Sequence, residues 1–201
     1  MAVPTNDRIA SIFIDHPAVF NTLHYVDFEG RDVLESLTKV THLAGPRMHA
    51  LQLDMVWPDP EALKAYRAAF PNVQTILQIN PPALDKLENL QGAFVEKVGS
   101  YQGLVDFVSL DKSMGRGIGL DANFLRPLLK EIREHYPQFN LAVAGGLGPD
   151  TLGLVEPLVR EFTGLSIDAQ GRLRPSGSTL DPVDWSLARA YLEKSLDLFY
   201  G

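Results

Sequence analysis

The chain has 201 residues, of which 45% are hydrophobic and 21% charged, so one soluble domain over residues 1–201 with a sizeable core is expected. A formal net charge of -7 leaves no basic stripe for a nucleic-acid backbone, and the absence of cysteine excludes disulfides, thiolate catalysis and Cys-ligated zinc. No segment approaches the ~20 apolar residues of a membrane span, and the N-terminus carries no signal pattern. A cytoplasmic protein without membrane or nucleic-acid partners is therefore predicted.

Short apolar runs alternate with amphipathic segments along the chain. Residues 6–20 fit both the helical and the strand period, and they are interpreted as a strand. The remaining strands are predicted at 23–29, 49–55, 73–79, 104–111, 141–144 and 165–168. The helices are predicted at 32–43, 59–70, 83–101, 123–136, 151–162 and 183–198, with Pro127 in the first turn of its helix. Gly92 and Gly99 are candidate break points of the long region 83–101.

Strands that alternate with helices of about a dozen residues indicate βαβ units and a parallel sheet. Seven strands in a chain of 201 residues predict a minimal parallel (βα) TIM-type barrel, or one with a degenerate N-terminal unit. An open, doubly wound sheet is the alternative architecture. In both, ligands bind at the C-terminal ends of the strands, so polar residues there are the candidates for function.

Glycines follow two of the predicted strands near the C-terminus. Gly145 and Gly146 end the 141–144 strand, and a helix start follows at Pro149 and Asp150. Backbone N–H groups that no side chain shields can close on an anion, and a helix N-terminus favours negative charge. A plain tight turn is the alternative interpretation. The predicted phosphate site comprises the backbone of Gly145, Gly146, Ala169, Gln170 and Gly171.

Carboxylates stand at the ends of three other strands. Asp27, Asp54 and Asp111 are the candidate catalytic residues, because proton transfer on a positioned sugar phosphate needs one group that takes a proton and one that gives it. The alternative is that such residues cap the following turn or face solvent. His24 precedes Asp27 by three residues, a spacing that places the two side chains on opposite strand faces. His24 is therefore interpreted as a packed or helix-facing residue, and no metal site or cofactor is predicted.

A glycine-rich segment with one cation follows Asp111. Gly115, Arg116, Gly117 and Gly119 form a loop that could fold over a bound anion. The alternative is a surface loop whose arginine faces solvent.

The second half resembles the phosphoribosylanthranilate isomerases, phosphate-binding barrels of tryptophan biosynthesis. The sixth strand of that family ends in Leu-Asp before a glycine-rich loop, as Leu110-Asp111 through Gly119 do here. Its seventh strand ends in Gly-Gly-Leu before a helix, as at 145–150, and its eighth is similar to 164–171. The family's fourth strand is similar to Leu51-Gln52-Leu53-Asp54. This resemblance implies a barrel with a phosphate site, and it implies that Asp111 is the general acid.

The departures from that family concern its chemistry. The family's general base is a cysteine at the end of the first strand, and this chain contains none. Asp54 replaces a histidine, and Ser166 stands where the family has a substrate-contacting aspartate. The sequence therefore predicts a phosphorylated-sugar partner and altered isomerase chemistry, with Asp27 or Asp54 as the base.

Two other functions stay open. The segments 9–12 and 24–30 resemble the first two strands of the ribulose-phosphate 3-epimerases, which implies an epimerase, although the metal-ligand histidine of that family has no counterpart further on. The other is a non-catalytic protein that binds a phosphorylated metabolite, having kept the glycines and lost the base.

Overall fold

The computed structural model describes residues 5–88, 90–112, 119–178 and 180–201. Its strands are β1 (Thr22–Asp27), β2 (Ala50–Met55), β3 (Gln74–Ile79), β4 (Phe107–Asp111), β5 (Asn140–Ala144) and β6 (Ser166–Asp168). Its α-helices are α1 (Val33–Ala44), α2 (Pro60–Ala69), α3 (Pro81–Leu84), α4 (Leu90–Gly99), α5 (Ala122–His135), α6 (Glu156–Glu161) and α7 (Trp185–Tyr200). Short 3-10 helices lie at Asn6–Ile12, Leu152–Leu154 and Gly171–Leu173.

The order of the strands distinguishes the two predicted architectures. Within the described residues, six strands form a sheet in which neighbouring strands are consecutive in the sequence. The pairs β1–β2, β2–β3 and β5–β6 are parallel. A doubly wound sheet reverses its strand order partway, whereas a TIM-type barrel keeps sequence order. The prediction of parallel strands with intervening helices is confirmed, and closure into a complete barrel stays a prediction.

The chain divides into two compact units, one ending at Val108 and the other running from Ser109 to Gly201. They are called the N-terminal and C-terminal units below. The core of the N-terminal unit is built by alternate residues of the strands, because the outer face of each strand packs on helices. Its fully buried side chains include Leu37, Leu51, Leu53, Leu63, Tyr66, Leu77, Phe94 and Tyr101.

The C-terminal unit has a core of the same kind. The helix α5 turns one apolar stripe inward, as its helical period predicts. The buried side chains of this unit include Leu125, Leu129, Ile132, Leu141, Val143, Val155 and Leu158. In β2, the apolar Leu51 and Leu53 are buried on one face and the intervening positions carry Gln52 and Asp54, whereas β5 is apolar at both kinds of position.

The structure corrects the interpretation of residues 6–20 as a strand. A 3-10 helix spans Asn6–Ile12, and the segment that follows is not part of the sheet. Ile9 and Phe13, four residues apart, are buried, whereas Ile12 and Ile14 are exposed. Helical spacing therefore decides which side chains this segment buries, and the alternation of Ile12 with Ile14 was misleading.

The helical region predicted at 83–101 is two helices, α3 and α4, and the division between them comes before Gly92, the first of the two predicted break points. The helix α3 starts on the proline pair and ends at Leu84, after which Lys86 N–H donates to Ala83 O and Leu87 N–H donates to Leu84 O. These three-residue hydrogen bonds tighten the chain into turns, so the helix does not continue. The strand predicted at 104–111 also starts late, since the N–H groups of Leu104 and Val105 are engaged in a turn on Tyr101 O.

Two other helix predictions need correction. Pro127 lies inside α5 and not in its first turn. Proline has no N–H to donate to the carbonyl four residues earlier, so the helix lacks one hydrogen bond there. The helix predicted at 151–162 is a 3-10 turn at Leu152–Leu154 followed by α6, which begins only at Glu156.

A charged pair anchors the start of β3 to the segment before β4. The Arg67 guanidinium donates two hydrogen bonds of 2.8 Å to the Asp106 carboxylate, which also accepts the Thr75 N–H at 2.8 Å. Burial would raise the pKa of Asp106, but the Arg67 and Thr75 hydrogen bonds and the Arg67 charge outweigh it and hold this pKa below its usual value. Bidentate pairing of this kind is specific to arginine.

We expect Asp106→Asn to lower the free energy of unfolding at pH 7 by about 1–3 kcal/mol, because a partly buried guanidinium loses its charged partner. Since the pKa of Asp106 is lowered in the folded state, its contribution is present above the unfolded value of about 3.9 and is lost as pH falls through the folded value. Urea unfolding at pH 7 and pH 3 should therefore show a smaller difference between variant and wild type at pH 3. Glu193→Gln, which breaks the exposed Arg189–Glu193 pair, is the matched control with little expected effect. An equal loss in both variants would contradict the anchoring role.

Candidate functional site

Polar side chains meet at the C-terminal ends of β1, β2 and β3. In the parallel register, His24 lies opposite Gln52, and Asp54 lies opposite Gln78. The intervening residues Leu51, Leu53 and Met55 are buried on the other face of the sheet. The period of two therefore segregates an apolar face from a polar one, and the polar one presents hydrogen-bonding groups of three strands.

Three of these residues form a linked set, which we call the strand-end network: His24, Asp54 and Asn80. Asn80 Nδ2 donates to Asp54 Oδ1 at 2.6 Å, and His24 Nε2 lies 3.6 Å from Asp54 Oδ2. Beneath them, Gln52 Nε2 donates to Gln78 Oε1 at 2.6 Å. The predicted catalytic Asp54 is thus held between an amide and an imidazole.

Asn80 fixes the network to the backbone. Its side chain is fully buried, and its Oδ1 accepts the Ala83 N–H at 2.9 Å as the N-cap of α3. The indole N–H of Trp57 donates to Ala83 O at 2.7 Å, which ties the loop after β2 to the same turn. Trp57 has a φ of 48°, a backbone conformation that bulky residues rarely adopt. Strained backbone of this kind concentrates at functional sites.

Asp27, the second predicted catalytic residue of this unit, closes its own turn. Its Oδ1 accepts the N–H groups of Glu29 and Gly30 at 2.9 and 3.0 Å. This is the capping role that the sequence analysis gives as the alternative. Asp27 also lines a cavity of about 270 Å³, together with Glu29, Met55, Trp57 and Asp59, between the loops after β1 and β2.

In the C-terminal unit, Asp111 ends β4 with only 9% of its surface exposed. The neighbouring Lys112 turns to Asp121, with 2.9 Å between Nζ and Oδ2, and its ammonium lies 4.0 Å from the centre of the Phe124 ring. The Lys112 hydrogen bond, with the Phe124 N–H, lowers the pKa of Asp121, which is the N-cap of α5. Lys112 therefore stabilises the start of α5.

The residues of the predicted phosphate site lie on two loops that we call the glycine loops, 145–148 and 169–173. They follow β5 and β6, which are neighbours with Ala144 opposite Asp168, so the structure brings the predicted residues to adjacent strand ends. Gly145 and Gly146 have φ values of 117° and 61°, and Gly146 O accepts the Thr151 hydroxyl at 2.8 Å. Because α6 begins at Glu156, no helix starts at Asp150 as expected.

The sequence did not single out Arg172, which the structure brings against the first glycine loop. A side chain at Gly148 would come within 2.5 Å of Arg172 Cβ, so only glycine fits where the two glycine loops touch. This contact places the Cβ of Arg172 beside Gly148, in the loop that carries two of the predicted phosphate-binding residues. No glycine or strand pattern marks Arg172 in the sequence, and its signal is the structural contact alone.

Asp168, at the end of β6, influences a tyrosine of α7. Burial raises the pKa of the Tyr191 hydroxyl, and the negative charge of Asp168 raises it further. Of the predicted anion-covering loop, Gly115, Arg116 and Gly117 lie outside the described residues. Gly119 is described, and a side chain on it would meet Leu154 Cδ1 at 2.9 Å.

His24 corrects one prediction of the sequence analysis. It is not a packed residue, since a third of its side chain is exposed, and it faces Asp54 on the neighbouring strand. Across the described ranges, no group of three or more histidines, aspartates and glutamates is placed to hold a metal ion. Nor does any helix in those ranges have the length and apolar character that crossing a bilayer requires.

Sequential parallel strands, intervening helices and polar strand ends place the chain among proteins with a TIM-barrel-like fold. No protein-family model matches the sequence, and no curated protein matches it either. Among solved structures, it is similar to N-(5'-phosphoribosyl)anthranilate isomerase from Pyrococcus furiosus, with 14% identity, a TM-score of 0.60, and 97% of this chain and 82% of that one covered.

Two other solved structures show the same likeness. The catalytic domain of a hyperthermophilic chitinase from Pyrococcus furiosus has 15% identity and a TM-score of 0.54, over 86% of this chain and 68% of that one. The aldolase QR15 has 13% identity and a TM-score of 0.53, over 89% and 75%. At such identities the likeness concerns the fold, and the three neighbours carry different chemistries.

Proposed function

We propose that the protein binds a phosphorylated sugar and catalyses an acid/base isomerisation of it, with chemistry that differs from that of the phosphoribosylanthranilate isomerases. The observation that carries this proposal is the pair of glycine loops on adjacent strands, with Gly145 and Gly146 at positive φ and Arg172 alongside. Backbone N–H groups and a guanidinium together suit a phosphate. TIM-type barrels commonly bind phosphate in the loops after their last two strands.

Asp111 is the proposed general acid of this unit. It ends a buried strand and is itself nearly buried, so its carboxyl group is held in one place, as proton transfer to a reacting group requires. Its neighbour Lys112 is engaged with Asp121. The proposal therefore assigns Asp111 to chemistry and Lys112 to structure.

A non-catalytic phosphometabolite-binding protein is the second candidate. The observation that favours it is the absence of cysteine, the residue type that serves as base in the resembling family. The two candidates share the glycine loops and differ only in whether a bound ligand exchanges protons. One binding experiment tests both, and an exchange experiment separates them.

Gly146→Val should abolish binding of ribulose 5-phosphate and of inorganic phosphate, as measured by calorimetry. A branched side chain at this position would occupy space that the anion's oxygen atoms need, and it would also strain a backbone with a φ of 61°. Gly164→Val is the matched control, because Gly164 has a φ of 78°, with no atom near its would-be side chain, and lies outside the glycine loops. If both folded variants bind like wild type, the phosphate site is elsewhere.

A further inference from the structure

We propose that His24 is a proton-transferring residue of the N-terminal unit and that Asp54 is its positioning residue. The assignment goes beyond the proposed function, which gives no role to His24. It rests on the proposed function only for the substrate class, a sugar phosphate with a carbonyl group. The carrying observation is the strand-end network, in which Asp54 joins His24 to the buried Asn80.

Exposure decides which member of the pair meets a ligand. The side chain of His24 is 33% exposed, whereas that of Asp54 is 13% exposed. Asp54 Oδ1 already accepts the Asn80 amide at 2.6 Å, and Oδ2 faces the imidazole. Asp54 is therefore turned away from solvent and toward its two partners, and His24 is the member of the pair that a ligand can reach.

The backbone holds this pair in place. His24 and Asp54 lie inside β1 and β2, and Asn80 is fixed at the start of α3 by the Ala83 N–H. Groups on strands, supported by buried hydrogen bonds, keep their geometry better than groups on loops. The Nε2–Oδ2 distance of 3.6 Å is longer than a hydrogen bond, and contacts of this kind shorten when a ligand binds.

The arrangement selects one imidazole nitrogen as the base. An ionised Asp54 carboxylate can only accept hydrogen bonds, so it favours the neutral imidazole that carries its proton on Nε2. In that tautomer, Nδ1 has the lone pair that can take a proton. Among the described residues, none hydrogen-bonds Nδ1 of His24. Nδ1 is therefore the nitrogen assigned to the substrate, and Nε2 is the one that faces Asp54.

The proton transfer balances without any co-reactant. The C–H bond next to the substrate carbonyl breaks, its proton forms a new N–H bond on Nδ1, and its electron pair moves onto the carbonyl oxygen to give an enediolate. The resulting imidazolium is stabilised by the Asp54 carboxylate. To isomerise the sugar, the proton then moves from Nδ1 to the adjacent carbon, while the proton of the hydroxyl group on that side passes through solvent to the enediolate oxygen, so that the carbonyl group changes place. If the proton on Nδ1 exchanges with solvent first, the sugar is labelled with deuterium.

The experiment measures deuterium incorporation from D₂O into ribose 5-phosphate, ribulose 5-phosphate and glyceraldehyde 3-phosphate. His24→Ala should lower the exchange rate by about 10²- to 10⁴-fold. Added imidazole should restore part of this rate, up to a plateau as its concentration rises, because the exposed position leaves room for imidazole to bind in place of the side chain. A purely structural histidine would not be rescued. Asp54→Asn should also lose rate, since an amide can donate to Nε2 and shift the proton to Nδ1.

His135→Ala is the matched control, because His135 Nδ1 lies 3.7 Å from a Glu131 carboxylate oxygen, a distance close to that of the His24–Asp54 pair, in an exposed helix pair outside the strand-end network. This variant should exchange like wild type, with no response to imidazole. Exchange that is unchanged in His24→Ala would overturn the role of His24 and leave the proposed function intact.

A second measurement decides the proposal even if wild type exchanges none of these sugars, which would contradict the proposed isomerisation. Diethyl pyrocarbonate, followed by peptide mass mapping, reports the nucleophilicity of each histidine. His24 should react faster than His135 in wild type and more slowly in Asp54→Asn. Equal rates for both histidines, with no effect of Asp54→Asn, would overturn the pairing of His24 with Asp54.

Discussion

Asp111→Asn should abolish deuterium exchange into a sugar phosphate while leaving its binding affinity within a few fold. The amide keeps the shape of the carboxyl group at the end of β4 and loses the transferable proton. A positioned acid or base contributes about 10²- to 10⁴-fold, so the loss should reach that range. Exchange followed by NMR and binding followed by calorimetry, on the same variant, measure the two quantities separately.

The control for this prediction is Asp197→Asn, an exposed aspartate of α7 in the same unit. It should change neither exchange nor affinity. Exchange that persists unchanged in Asp111→Asn would remove Asp111 from the chemistry. If wild type binds the sugar phosphate and exchanges no proton, the chain is the non-catalytic binding protein and Asp111 matters only where it contacts the ligand.

Much of the fold could be predicted because its signal is local. Apolar and polar residues alternate in β2, β5 is a short apolar run, and α5 shows the helical period over fourteen residues. The errors lie where a second constraint acts. Residues 6–20 fit two periods at once, and burial of Ile9 decided between them. Backbone hydrogen bonds in turns, which composition does not reveal, ended α3 and delayed β4.

The candidate site was less predictable, because its contacts are between strands. The spacing of His24 from Asp27 correctly separates these two side chains, yet the partner of His24 is Asp54, thirty residues further along the chain. Such a contact depends on the register of β1 with β2, which one sequence does not specify. Arg172 was missed for a similar reason, since its neighbour Gly148 comes from the preceding loop.

The glycines illustrate the opposite case. Gly145 and Gly146 were recognised because a strand that stops at paired glycines indicates a backbone conformation closed to other residues. Their φ values of 117° and 61° agree with that reasoning. The helix start expected beside them was wrong, because Thr151 hydrogen-bonds back to Gly146 O and the chain makes a 3-10 turn before α6. The paired glycines thus predicted the loop correctly, but the residues after them did not predict where the next helix begins.

The chain should not isomerise phosphoribosylanthranilate at a useful rate, despite its fold similarity to the enzyme of that name from Pyrococcus furiosus. The family's base is a thiolate at the end of the first strand, and this chain has no cysteine. His24 does not replace the thiolate directly, because it lies within β1, three residues before the strand ends at Asp27. A catalytic group that is misplaced by about 1 Å can lower the reaction rate by about 10²-fold. Expression of this chain in a strain that lacks the isomerase should therefore fail to restore growth without tryptophan. Expression of a family enzyme in a parallel culture of the same strain should restore it. Robust growth would contradict the prediction, and the same test with His24→Ala would then show whether the imidazole had taken the role of the thiolate.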